Sequence, residues 1–169
     1  MNRMTSSLAI ALAASLAAPA AFAADVNISG EIVESTCVAA IAGGVDVAMD
    51  KMDLVELRAN DRVGRRDLDV TVSCPGSGAA QDLAVRFAGV ATGDGSLALT
   101  AASTATNVGY KIFDNNDTQL NINTAPVLFV SVPADGSEVV KHSVWYATTG
   151  GTPTAGTANA TAQMDIVYK

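Results

Sequence analysis

GTANATAQMDIVYK, from Gly156 to Lys169, alternates apolar and polar side chains almost without a break. The even positions read Gly156, Ala158, Ala160, Ala162, Met164, Ile166 and Tyr168. The odd ones read Thr157, Asn159, Thr161, Gln163, Asp165, Val167 and Lys169. Only Val167 interrupts the pattern. A period of two sends successive side chains to opposite faces of a strand, so this stretch is predicted to be a long, two-faced strand. Exposed edges are usually blunted by charge or proline, and from Thr157 to Gln163 there is neither. Two readings follow. The strand is either an edge open to strand addition or the last, fully paired strand of a closed sandwich. Alternation alone leaves both standing.

The same period runs through the rest of the chain. DLDVTVSC sets Leu68, Val70, Val72 and Cys74 against Asp67, Asp69, Thr71 and Ser73. DLAVRFAGV offers Leu83, Val85 and Phe87, and NVGYKIF offers Val108, Tyr110 and Ile112. VNISGEIVES alternates through Val26, Ile28, Gly30 and Ile32. SEVVKHSVWYA (137–147) is a further strand candidate, and PVLFVSV (126–132) is apolar enough for a strand covered on both faces. Turn chemistry separates these runs at PGSG (75–78), GDG (93–95), DNND (114–117), DG (135–136) and GGTP (150–153). DKMDLVELRAND (50–61) is the only helical stretch, one or two turns long. Short strands with such turns predict an all-β, single-domain sandwich or small barrel.

Residues 1–23 carry Arg3, the apolar run LAIALAASLAAP and the small-x-small triplet Ala21-Phe22-Ala23. They read as a secretory signal peptide cut after Ala23, with Ala20 as a second choice, leaving a domain over 24–169. No later segment is long and apolar enough for a membrane span. The net charge of −7 (10 − 17) becomes −8 without Arg3, and an acidic surface with no basic stripe excludes nucleic acid as a partner. Cys37 and Cys74 are the only cysteines. In an exported chain they read as one disulfide rather than two buried thiols. Closing a loop of 37 positions is worth about 3.5–4 kcal/mol on chain entropy. If the host is a Gram-negative bacterium, export and a disulfide place the protein in the periplasm or beyond.

Catalytic chemistry has little to build on. His142 stands alone on a strand-like run and reads as a half-exposed sheet residue, and no ligand set for a metal accompanies it. No nucleophile elbow surrounds any serine. Asp67/Asp69 and Asp50/Asp53 read as solvated strand and turn carboxylates, and Trp145 and Tyr146 as packing inside the sandwich. The expectation is a non-enzyme without cofactor or metal, whose interface is made of strands.

The chain ending resembles the subunits of the chaperone–usher pathway, the type 1 fimbrial major pilin family. That family typically has a glycine fourteenth from the end, alternating apolar residues after it and a penultimate tyrosine, the places held here by Gly156 and Tyr168. NVGYKIFDNNDTQL is similar to its strand ending in a D-N turn, SVWYATTGG to its segment before the last strand, and GEIVESTC and LDVTVSC to its two cysteine-bearing strands. The resemblance implies an incomplete immunoglobulin-like β-sandwich lacking its last strand, with an apolar groove beside the 156–169 strand. Gly156, Ala158, Ala160, Ala162, Met164, Ile166, Tyr168 and Lys169 would form the acceptor edge. A periplasmic chaperone would fill the groove first and hold the carboxylate of Lys169. At the outer-membrane usher, the N-terminal extension of another pilin subunit would then replace it. In this chain the donor segment would be residues 24–30, with Val26, Ile28 and Gly30 facing the groove, and the product an adhesive fimbria on the cell surface. A cut after Ala23 leaves six residues ahead of Gly30, fewer than family donors have. A cut after Ala20 would add Phe22 and Ala24 to the same face. A minor tip-adapter or terminator role and a secreted, self-contained sandwich are the competing readings.

Overall fold

The computed structural model describes residues 37–169. The expected leader, the donor residues Val26, Ile28 and Gly30, and the strand GEIVES lie outside the described residues. The described elements are β1 (Val38–Ile41), α1 (Leu54–Ala59), β2 (Arg62–Ser73), β3 (Gln81–Gly89), β4 (Leu97–Ala98), β5 (Val108–Asp114), β6 (Gln119–Leu120), β7 (Val130–Val132), β8 (Ser137–Thr148) and β9 (Ala162–Tyr168). They form a two-sheet sandwich. One sheet has the order β1-β2-β8-β5-β4, with β6 also on β5, and the other has the order β7-β3-β9. All the pairings are antiparallel.

The alternation sets the faces as expected. Leu68, Val70, Val72 and Cys74 from one sheet meet Leu83, Val85 and Phe87 from the other, and all are buried. Val108, Tyr110 and Ile112 of β5 are buried beside them. The register of β2 against β8 shifts between Val63 and Arg66, where Gly64 takes a φ of 68°. That conformation is left-handed and favours glycine, and a Cβ there would also stand 2.7 Å from Met52 Cγ. The β5–β6 hairpin turns on DNND, where the Asp114 carboxylate accepts from the amides of Asn116 and Thr118, each at 2.9 Å. Asp53 caps α1 by accepting from the Val55 amide at 2.8 Å. Cys37, just before β1, is bonded to Cys74, just after β2.

Three expectations need correction. PVLFVSV is a strand only over Val130–Val132. Val127 ahead of it is 82% exposed, because those residues form a connection that pairs with no described strand. His142 is buried, not half-exposed. It points inward from β8 and meets Phe87 edge-on, with ring centroids 5.3 Å apart. Tyr146 packs inside as expected, but Trp145 lies on the outer face of its sheet. There the indole N–H donates to Ser143 Oγ at 3.0 Å, and the Arg62 guanidinium covers both Trp145 and Phe113 while pairing with Asp117 at 2.6 Å.

Candidate strand-acceptor cleft

Among the described residues β9 has a strand partner along one edge. Its residues pair with β3 from Gly89↔Ala162 to Leu83↔Tyr168, and among the described residues no strand pairs with its other edge. β1 is likewise the end strand of its own sheet. Between these two sheet ends lies a cleft of about 530 Å³. Its walls include Ile41 from β1 and Ala160 and Met164 from the terminal stretch. Leu68, Phe87 and Ile112 reach it from the core. A second compartment of about 450 Å³ continues past Met52, Leu57 and Gly156. Both compartments touch Met49, Tyr146 and Ala158.

Lining a cleft with aliphatic and thioether groups leaves apolar area in water, an unfavourable state that burial under a partner would relieve. A strand would suit such a cleft. It would satisfy the outward N–H and C=O groups of β9 while inserting every second side chain between the sheets.

The terminal stretch divides in two. Only Ala162–Tyr168 is strand; the expected strand began at Gly156. From Gly156 to Asn159 the chain forms no strand and bonds to the 100–105 connection instead of β3. The Thr157 carbonyl accepts from the Thr104 and Ala105 amides, both at 3.1 Å, and the Asn159 carbonyl accepts from Thr100 N at 2.7 Å. Thr104 Oγ1 accepts from the Thr157 amide at 2.8 Å. Gly156 permits this clasp. A Cβ at 156 would collide with the Ala105 amide nitrogen and stand 2.6 Å from the Thr104 carbonyl carbon.

The predicted faces are respected. Ala158, Ala160, Met164, Ile166 and Tyr168 pack on the core, while Ala162 lines the cleft with more exposure. On the opposite face Asp165 meets its register partner Arg86 at 2.7 Å. Exposed about 40% on each side, that pair contributes little. Lys169 is exposed, and its amide donates to the Asp82 carbonyl at 3.0 Å.

Two floor residues carry roles that the sequence did not announce. Tyr110 O–H donates to the Ala158 carbonyl at 2.7 Å, tying the terminal stretch to β5 beneath the cleft. Burial, and then the neighbouring Tyr146, push the Tyr110 phenol well above its ordinary value of 10.0, so it remains a donor. Tyr146 lies 5.0 Å from Tyr110 between centroids and donates to the Asp50 carbonyl at 3.1 Å. Their inward periodicity was legible, but their hydroxyl partners are 48 and 96 positions away.

Among the described residues no three His, Cys, Asp or Glu side chains group as a metal site. No helix there is long and apolar enough to cross a membrane.

Comparison with known proteins identifies the family and the fold. The model of the family described as "Fimbrial protein" matches residues 26–169. No curated protein matches by sequence. Among solved structures, a Burkholderia pseudomallei antigen and type I fimbria protein superposes with a TM-score of 0.56 at 22% identity, over 78% of this chain and 97% of that one. The P pilus rod subunit PapA gives 0.62 at 16% identity, over 79% and 99%. A subunit from the structure of a chaperone–usher pilus, solved to explain rod uncoiling, gives 0.61 at 15%, over 88% and 97%. At these identities the likeness is one of fold.

Proposed function

We propose, from the premise that this chain belongs to the fimbrial protein family and is a pilus subunit, that its cleft is the acceptor for a strand donated by the next subunit. The observation that carries the reading is the outer edge of β9, on which no described strand pairs, beside a cleft whose walls include Ile41, Ala160 and Met164. The donor is the N-terminal segment of another copy, residues 24–30, with Val26, Ile28 and Gly30 on the inserted face. Each large apolar side chain taken into the cleft would contribute about 1.5–3 kcal/mol, with ladder hydrogen bonds in addition. Before polymerisation a periplasmic chaperone covers the same cleft and engages the chain end at Lys169, and an outer-membrane usher passes the subunit to the surface. There the fibre supports adhesion. The role is structural, with no catalytic step.

The test is material sheared from cells and run on a denaturing gel with and without boiling. A ladder of multimers that collapses to one band on heating is expected, and Ile28→Asp is expected to abolish the ladder while the subunit still accumulates in the periplasm. A single monomer band in both lanes would instead identify a self-contained secreted sandwich.

A further inference from the structure

The chain has five methionines, and two of them, Met1 and Met4, stand in the expected leader. The other three, Met49, Met52 and Met164, all line the cleft. Met49 and Met164 border the larger compartment, and Met49 and Met52 border the smaller one. Each is partly buried, neither sealed in the core nor fully in solvent. Met164 pairs in register with Phe87. Met49 and Met164 pack against the main core cluster, and Met52 packs against the smaller cluster of Leu57, Val63 and Val108. Thioethers suit a surface that must adapt to an incoming strand, since methionine is unbranched and fills irregular gaps. The same atoms are the part of the cleft open to two-electron oxidation.

We propose that Met49, Met52 and Met164 are modification sites for peroxide, and that their sulfoxides close the cleft to the donor strand. The sulfur lone pair attacks one peroxide oxygen, an S–O bond forms and the O–O bond breaks. Sulfur is oxidised by two electrons, and the departing hydroxide takes the proton of the new sulfur-bound hydroxyl and leaves as water, so that sulfoxide and water are the products. The product replaces an apolar, flexible thioether with a polar, chiral sulfoxide. Inserting a strand would then bury an S=O group where a thioether had packed against apolar neighbours, at a cost that corresponds to at least about a tenfold loss of affinity. An occupied cleft shields the sulfurs, so the chemistry acts on the open subunit and spares the assembled joint. This inference rests on the strand-acceptor reading.

The experiment uses the purified subunit and a fluorescent peptide of residues 24–35 (ADVNISGEIVES) as the probe. Hydrogen peroxide is added before or after the peptide, and each methionine is followed by mass spectrometry. Expected results are oxidation of all three in the open subunit, at least tenfold weaker peptide binding, protection when the peptide is added first, and recovery of binding after methionine sulfoxide reductase. In a Met49→Leu/Met52→Leu/Met164→Leu variant, whatever affinity it starts from, peptide binding should be the same before and after peroxide, since leucine has no sulfur to oxidise. Sulfoxides at all three positions with unchanged peptide binding would overturn the inference and leave the acceptor reading standing. Failure of the untreated subunit to bind the peptide would overturn both.

Discussion

His142 is the chain's one histidine, and it is held between the sheets against the edge of Phe87. It stands in register with Leu68 of β2 on one side and Asp114 of β5 on the other. Burial depresses its pKa from the ordinary 6.5. The backbone carbonyls of Leu68 and Val140 and the charges of Asp114 and Asp69 pull in the opposite direction without overcoming it. The neutral ring is therefore the folded form, whereas the unfolded chain titrates normally. For a depressed folded pKa the stabilisation is complete above 6.5 and drains away as pH falls below it. Few carboxylates titrate between pH 6.5 and 5, so a fall in denaturation midpoint over that interval is assigned to this ring. His142→Leu should flatten the decline, and an unchanged slope in that variant would show that other groups are responsible. The burial was not legible, because a polar residue on an alternating strand reads as outward-facing. What decides its direction is the register of β8 against β2 and β5, which is a non-local property.

The terminal stretch was the most legible element, and its alternation correctly divides inward from outward side chains. Its internal division was hidden, since the clasp to residues 100–105 depends on hydroxyl and backbone partners more than 50 positions away. Gly156 is where pattern and packing meet. A side chain there has no room against the Ala105 amide and the Thr104 carbonyl carbon, so Gly156→Val should push the clasp apart. Overpacking of this kind costs about 1–3 kcal/mol. The upper end is expected here because backbone, not a flexible side chain, stands in the way. Chemical denaturation of the isolated subunit checks the value, and a loss under 0.5 kcal/mol would mean the clasp moves freely. PVLFVSV shows the opposite failure. Its continuous apolar run carried no periodicity to arbitrate between strand and covering loop, and proline at 126 opens a connection that leaves Val127 in solvent.

Across the whole molecule the cleft exists because two sheets end on the same side, β1 closing one and β9 the other. Composition and turn spacing were enough to read a sandwich or small barrel, but that coincidence of edges is set by pairings between distant strands and is not written in any local pattern. It also exposes a dependence. Among the described residues β1 pairs with β2 through Val38–Ile41 alone, a short ladder for a strand that forms one rim. The Cys37–Cys74 bridge fastens that ladder at the end where Val38 faces Ser73. It restrains the unfolded chain across 37 positions, for about 3.5–4 kcal/mol, and it holds the rim in place against the second sheet. A Cys37→Ser/Cys74→Ser double variant is expected to lose stability of that order in urea. It should also bind the 24–35 peptide more weakly than stability alone explains, because its rim frays while the rest of the core stays folded. Comparing peptide affinity with the urea midpoint under strongly folding conditions separates the two effects. Full stability loss with unchanged affinity would show that β1 keeps its position without the bridge, and that β9 alone provides the joint.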